Sequence, residues 1–99
     1  MRFDNIHNYY ETLVVREIVS HFAADIKTMD EEYLQDIACI ALNMLPARYV
    51  QHDVDMAFFL TSSEREKITE MVFQAVEQAI NQASKYKNEE ERPNTVDGN

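Results

Sequence analysis

Apolar residues recur along this chain at spacings of three and four, a rhythm that predicts helices over most of its length. Over residues 5–24, Ile6, Tyr9, Tyr10, Leu13, Val14, Ile18 and Phe22 share a face, with Glu11, Arg16 and His21 between them. Val15 and Val19 widen that face, so this helix is expected to be covered on two sides, by its own domain and by a partner. A second helix is expected over 28–45. Thr28 and Glu31 have capping-box spacing, and Asp30, Glu31 and Glu32 bring negative charge to the helix start. Tyr33, Leu34, Ile37, Ala38, Ile40, Ala41, Leu42 and Leu45 give it a broad apolar surface, which marks it as the central helix. Pro46 ends it, because the proline ring disfavours α conformation at Leu45.

The rhythm changes after that proline. Val50, Val54, Met56, Phe58 and Leu60 alternate, with Asp53 and Asp55 opposite. Alternation allows a short strand over 55–60, paired with a symmetry mate, or an irregular extended segment. Thr61, Ser62 and Ser63, with Glu66 three after Ser63, start a third helix that is expected to run to about residue 87. Ile68, Met71, Val72, Ala75, Val76, Ala79, Ile80 and Ala83 form its stripe, and the small alanines permit close approach of another helix. The chain divides into one helical domain over 1–87 and an acidic tail over 88–99, polar enough to be expected disordered. The fold class is mainly α: three principal helices, a short extended segment before the last, and an intertwined or face-to-face homodimer. Glycine is absent before Gly98, which disfavours tight hairpins.

Charge narrows the function. The chain carries 9 basic and 18 acidic side chains, a net of −9. The tail contributes Glu89, Glu90, Glu91 and Asp97 against Arg92, and the body remains acidic without it. An acidic body repels nucleic-acid backbones and anionic lipid, so neither DNA or RNA nor a membrane is expected as a partner. Cys39, the single cysteine, permits no internal disulfide and reads as an inert core thiol. The N-terminus lacks an apolar signal-like core and no run is long enough to span a bilayer, so a cytoplasmic location is expected.

Few groups suggest chemistry. His7, His21 and His52 lack metal-binding spacing, and no hydrolase or P-loop motif is present, so no enzyme and no metal are expected. The acids around Asp30 read as a solvated helix start, and His52 with Asp53 and Asp55 as a nonspecific cluster. Arg48 and Tyr49 stand apart, because they follow directly on the proline break. Their bland reading is a surface arginine and a half-buried tyrosine that closes the core. Their functional reading is recognition of an anionic, aromatic ligand. Arg48 would bond a phosphate or a guanine edge and Tyr49 would stack on a base. Asn43 is expected to cap carbonyls near Pro46 or, failing that, to bond ligand. Ser62 and Ser63 offer backbone amides at a helix start. Asp53 and Asp55 oppose anion binding unless they point away.

The sequence resembles the late-competence ComFB family. The resemblance lies in Asn8, Glu11 and Val14, then Asp36-Ile37, Ala41-Leu42-Asn43, Leu45-Pro46 and Arg48-Tyr49-Val50, in the family's order, and covers residues 5–85. It implies a small helical homodimer connected with competence, a non-enzymatic bacterial signalling protein, and a receptor for cyclic di-GMP. That ligand has two guanines, two phosphates and two-fold symmetry, so each chain of a dimer would offer Arg48, Tyr49, Asn43, Ser62 and Ser63 to one half. Some relatives bind zinc through cysteines before the D-I pair. Here the stretch reads TMDEEYLQ, so no zinc is expected. The alternative is a structural adaptor that binds a partner protein through an apolar groove without nucleotide.

Overall fold

A computed structural model describes the backbone of residues 2–91 and the side chains of residues 2–85. Four helices carry the fold: α1 (Tyr10–His21), α2 (Glu31–Met44), α3 (Val54–Phe59) and α4 (Ser62–Glu91). Two short strands, β1 (His7–Asn8) and β2 (Tyr49–Val50), pair antiparallel, with His7 opposite Val50 and Asn8 opposite Tyr49.

The mainly α expectation holds. The core is built by α1, α2 and α4, which pack on one another. Tyr10, Val14 and Ile18 follow one another at four-residue spacing on α1, and Ile37, Ala41 and Leu45 do so along α2 and the residue that follows it. Val72, Ala75, Val76, Ala79 and Ala83 of α4 complete the cluster. The most extensive packing is between α2 and α4, where Ala41 and Ala79 are both fully buried. Small side chains there bring the two backbones close. The Tyr33 hydroxyl and Ser84 Oγ hydrogen-bond across the same pair at 3.0 Å.

Several boundaries differ from the sequence reading. α1 starts at Tyr10, because residues 7–8 pair with β2 instead of joining the helix. Thr28 does not cap α2. It lies in a 3₁₀ turn, Ile26–Thr28, and donates to the Asp25 carbonyl at 3.0 Å. Asp30 is the cap, accepting the Glu32 N–H at 3.1 Å. α2 does stop at the proline break, with Leu45 extended at φ −104° and ψ 145°. Cys39 is exposed on α2 and not a core thiol.

The expected strand over 55–60 is a helix. Met56 and Leu60, four residues apart, are the buried pair, 3% and 9% exposed. Val54 and Phe58, which completed the alternation, face solvent. The pattern carried both periods, and the helical one is satisfied because Arg65 of α4 donates to the Ala57 and Leu60 carbonyls, both at 3.4 Å. A cation at a helix C-terminus offsets its negative end. The expected disordered tail falls, over 92–99, outside the described residues. Over 88–91 the backbone continues α4.

Candidate functional site

The segment after Pro46 is held from the side by Asn8, 9% exposed. Its Oδ1 accepts the backbone N–H of Tyr10 at 3.2 Å and of Arg48 at 3.0 Å. The Tyr9 N–H donates to the Arg48 carbonyl at 2.6 Å. Glu11 accepts the Asn8 N–H at 3.4 Å, closing a reciprocal arrangement at the start of α1. One asparagine therefore serves two elements: it opens α1 and fixes β2. The sequence reading gave the capping task near Pro46 to Asn43. That residue is exposed and makes no side-chain hydrogen bond among the described residues. Asn8 is better placed because β1 pairs directly with β2, which sets it opposite Tyr49.

With the backbone fixed, the side chains of Arg48 and Tyr49 are left in solvent. Tyr49 is 68% exposed, so it does not close the core as its bland reading held. Arg48 is exposed and makes no ion pair among the described residues. Its charge still reaches two neighbours. It is one of the smaller influences holding Glu64 below the usual carboxylate range, and it opposes the upward push that burial gives Tyr10. Arg48 thus lies within electrostatic reach of the first turn of α4.

That turn is capped by Thr61, two positions before the expected cap. Thr61 Oγ1 accepts the Glu64 N–H at 3.1 Å, and Glu64 Oε1 accepts the Thr61 N–H at 2.9 Å. Hydrogen bonding of the Glu64 carboxylate by the Thr61 N–H, and then by the Thr61 hydroxyl, is the main cause of its lowered pKa. Ser62 and Ser63 become the first two residues of α4 and are exposed. The structure brings Arg48 within electrostatic reach of the α4 start, with Tyr49 next to it on β2. Asn43 shares no hydrogen bond with them.

The acids feared as competitors are handled separately. Asp53 is engaged: its Oδ1 meets His7 Nε2 at 2.6 Å, and its Oδ2 accepts from Thr12 Oγ1 at 3.4 Å. His7 Nδ1 lies 2.9 Å from the Asn5 carbonyl. The Asp53 bond, then the Asn5 carbonyl, raise the His7 pKa. Asp55 is exposed on α3. Among the described residues no three His, Cys, Asp or Glu side chains are gathered as a metal site, and no helix is long and apolar enough to cross a membrane.

Sequence reasoning missed Asn8, the His7–Asp53 pair and Arg65 as organising residues. Asn8 to Glu11 has capping-box spacing, so that relationship had a signal in the chain. The His7–Asp53 contact spans 46 positions and had none.

These features place the chain in a class: small helical domains in which a central helix ends at Leu-Pro and an Arg-Tyr pair follows on a two-residue strand. The sequence model of Late competence development protein ComFB matches residues 7–87, and the chain belongs to that family. No curated protein and no solved structure matches it.

Proposed function

We propose that this ComFB-family chain is a non-enzymatic signalling protein that binds cyclic di-GMP as a homodimer. One observation carries the reading. Arg48 and Tyr49 are held rigidly through their backbone while their side chains do no structural work. Elsewhere in the family-like stretch, Val14, Ile37, Ala41 and Leu45 form core, and Asn8 and Glu11 hold backbone. An exposed guanidinium beside an exposed phenol suits a phosphate next to a base. Ser62 and Ser63, at the positive end of α4, add amide donors for the same anion. Asn43 is solvent-facing and open to a guanine edge. A two-fold dimer then meets a two-fold ligand, one site per half.

Calorimetric titration of cyclic di-GMP into the full chain tests this. The expected result is saturable heat at micromolar or lower concentration, with Arg48→Ala abolishing it and the helical circular dichroism unchanged. Absence of heat or thermal shift with the wild-type chain overturns the receptor reading. It then leaves the adaptor, which the exposed Phe58 and Phe59 favour.

A further inference from the structure

The β1–β2 ladder runs one pair beyond its two strands. His7 stands opposite Val50 and Asn8 opposite Tyr49, and the Tyr9 N–H meets the Arg48 carbonyl at 2.6 Å, so Tyr9 stands opposite Arg48. Residues opposite one another share a side of such a ribbon, and successive residues alternate between its sides. Arg48 therefore shares its side with Tyr9. Tyr49 leans to the other side, opposite Asn8, whose amide oxygen is already taken by two N–H groups. Tyr9 is half-buried, and its ring packs edge-on against Tyr10, with centroids 6.0 Å apart and planes at 63°. Tyr10 is 5% exposed, yet its hydroxyl makes no hydrogen bond among the described residues. A buried hydroxyl without a partner costs free energy until one arrives. Burial pushes the Tyr10 phenol up in pKa, Arg48 pulls it down, and Tyr9 adds a smaller upward push. The guanidinium and the Tyr9 phenol thus both lie within electrostatic reach of that hydroxyl.

We propose that Tyr9 and Tyr10 belong to the same nucleotide site as Arg48: the Tyr10 hydroxyl donates to the phosphate that Arg48 binds, and the Tyr9 ring gives a base its stacking face. The proposal rests on the receptor reading above and adds two residues to its site. A phosphate has acceptor oxygens enough for a guanidinium fork and a phenol together. The acids beside these groups do not fill the place. Glu11 and Glu64 each have a carboxylate oxygen on a backbone N–H, that of Asn8 and of Thr61, and neither pairs with Arg48. For the base, a ring already held in place stacks at a lower entropy cost than a free one. Tyr9 is held by Tyr10, whereas Tyr49, 68% exposed, makes no ring contact among the described residues. Tyr49 reaches the same ligand only over the edge of the ribbon.

Calorimetric titration of cyclic di-GMP into the full chain and three variants tests the assignment. Tyr10→Phe is expected to bind roughly tenfold more weakly, with a thermal midpoint no lower than that of the wild type, because the deleted hydroxyl leaves no partner behind. Tyr9→Phe is expected to bind as the wild type does, since stacking needs only the ring, and Tyr9→Leu roughly tenfold more weakly. Tyr10→Phe binding as tightly as the wild type, or melting lower than it, overturns the donor role. Tyr9→Leu binding as tightly overturns the stacking role. Either result leaves the receptor reading standing. A wild type silent toward cyclic di-GMP overturns that reading, and GMP then decides the subsite by ring-proton NMR. Saturable shifts of the Tyr9 and Tyr10 rings keep both residues in a nucleotide site, and unmoved rings overturn this inference as well.

Discussion

Asn8 Oδ1 accepts the Arg48 backbone N–H across a 40-residue separation, at 3.0 Å. This bond sets the position of Arg48 without touching its guanidinium, so fold and recognition are separable at one residue. Asn8→Ala is expected to leave two N–H groups without their acceptor in a buried place and to cost roughly 2–3 kcal/mol. Urea denaturation measures it. A loss below about 0.5 kcal/mol, the range of ordinary surface changes, would mean that β1–β2 pairing alone fixes the strand. Arg48→Ala, by contrast, is expected to leave the denaturation midpoint unchanged.

The His7–Asp53 bond ties β1 to the start of α3 and makes that tie pH-dependent. The folded imidazole has a raised pKa, chiefly through Asp53 and the Asn5 carbonyl, with Glu11 adding a small charge effect. A raised folded value means that the stabilisation is full below the unfolded imidazole pKa of about 6.5. It is lost as pH rises through the folded value. The thermal midpoint of the wild type is therefore expected to fall, relative to Asp53→Asn, as pH rises above about 6.5. Superimposable profiles of the two proteins would show that the contact adds nothing in solution.

Thr61 and Glu64 give the opposite sign. Glu64 is held low by the Thr61 N–H and hydroxyl, so its contribution is present above the ordinary glutamate pKa and lost as pH falls through the lower folded value. Thr61→Ala is expected to destabilise α4 by about 1 kcal/mol. Carboxyl NMR titration should then find Glu64 moved back up toward the ordinary range. An unmoved Glu64 would assign its depression to the backbone N–H of position 61, which alanine keeps, and leave the hydroxyl without a part in it.

The main helices were legible because each buries a stripe of period near four, seen most plainly in Tyr10, Val14 and Ile18. The stop at Pro46 was legible because proline acts on its own neighbours. What could not be read depended on partners far along the chain. Residues 7–8 look helical until β2 is there to pair with them. Residues 54–60 fit two periods, and only Arg65 and the burial of Met56 and Leu60 decide between them. Arg48 and Tyr49 were found by their place after the break, whereas Asn8 gave only a local capping signal for what proved a long-range clamp.

The α2–α4 contact depends on the absence of side-chain bulk. Ala79 is fully buried, and Ile37 fills the core from α2 with no exposure. A leucine at position 79 has no room at a close helix–helix approach and forces the backbones apart, at about 1–3 kcal/mol. Ile37→Ala acts in the other direction, leaving a void and costing roughly 2–5 kcal/mol. Exposed Ala57 on α3 supplies the control, since leucine there meets only solvent. Chemical denaturation is expected to order the proteins as Ala57→Leu near wild type, then Ala79→Leu, then Ile37→Ala. If leucine at 79 were tolerated as well as leucine at 57, the small residues of α4 would not be setting the distance to α2, and that interface would depend on Ile37 and its larger neighbours alone.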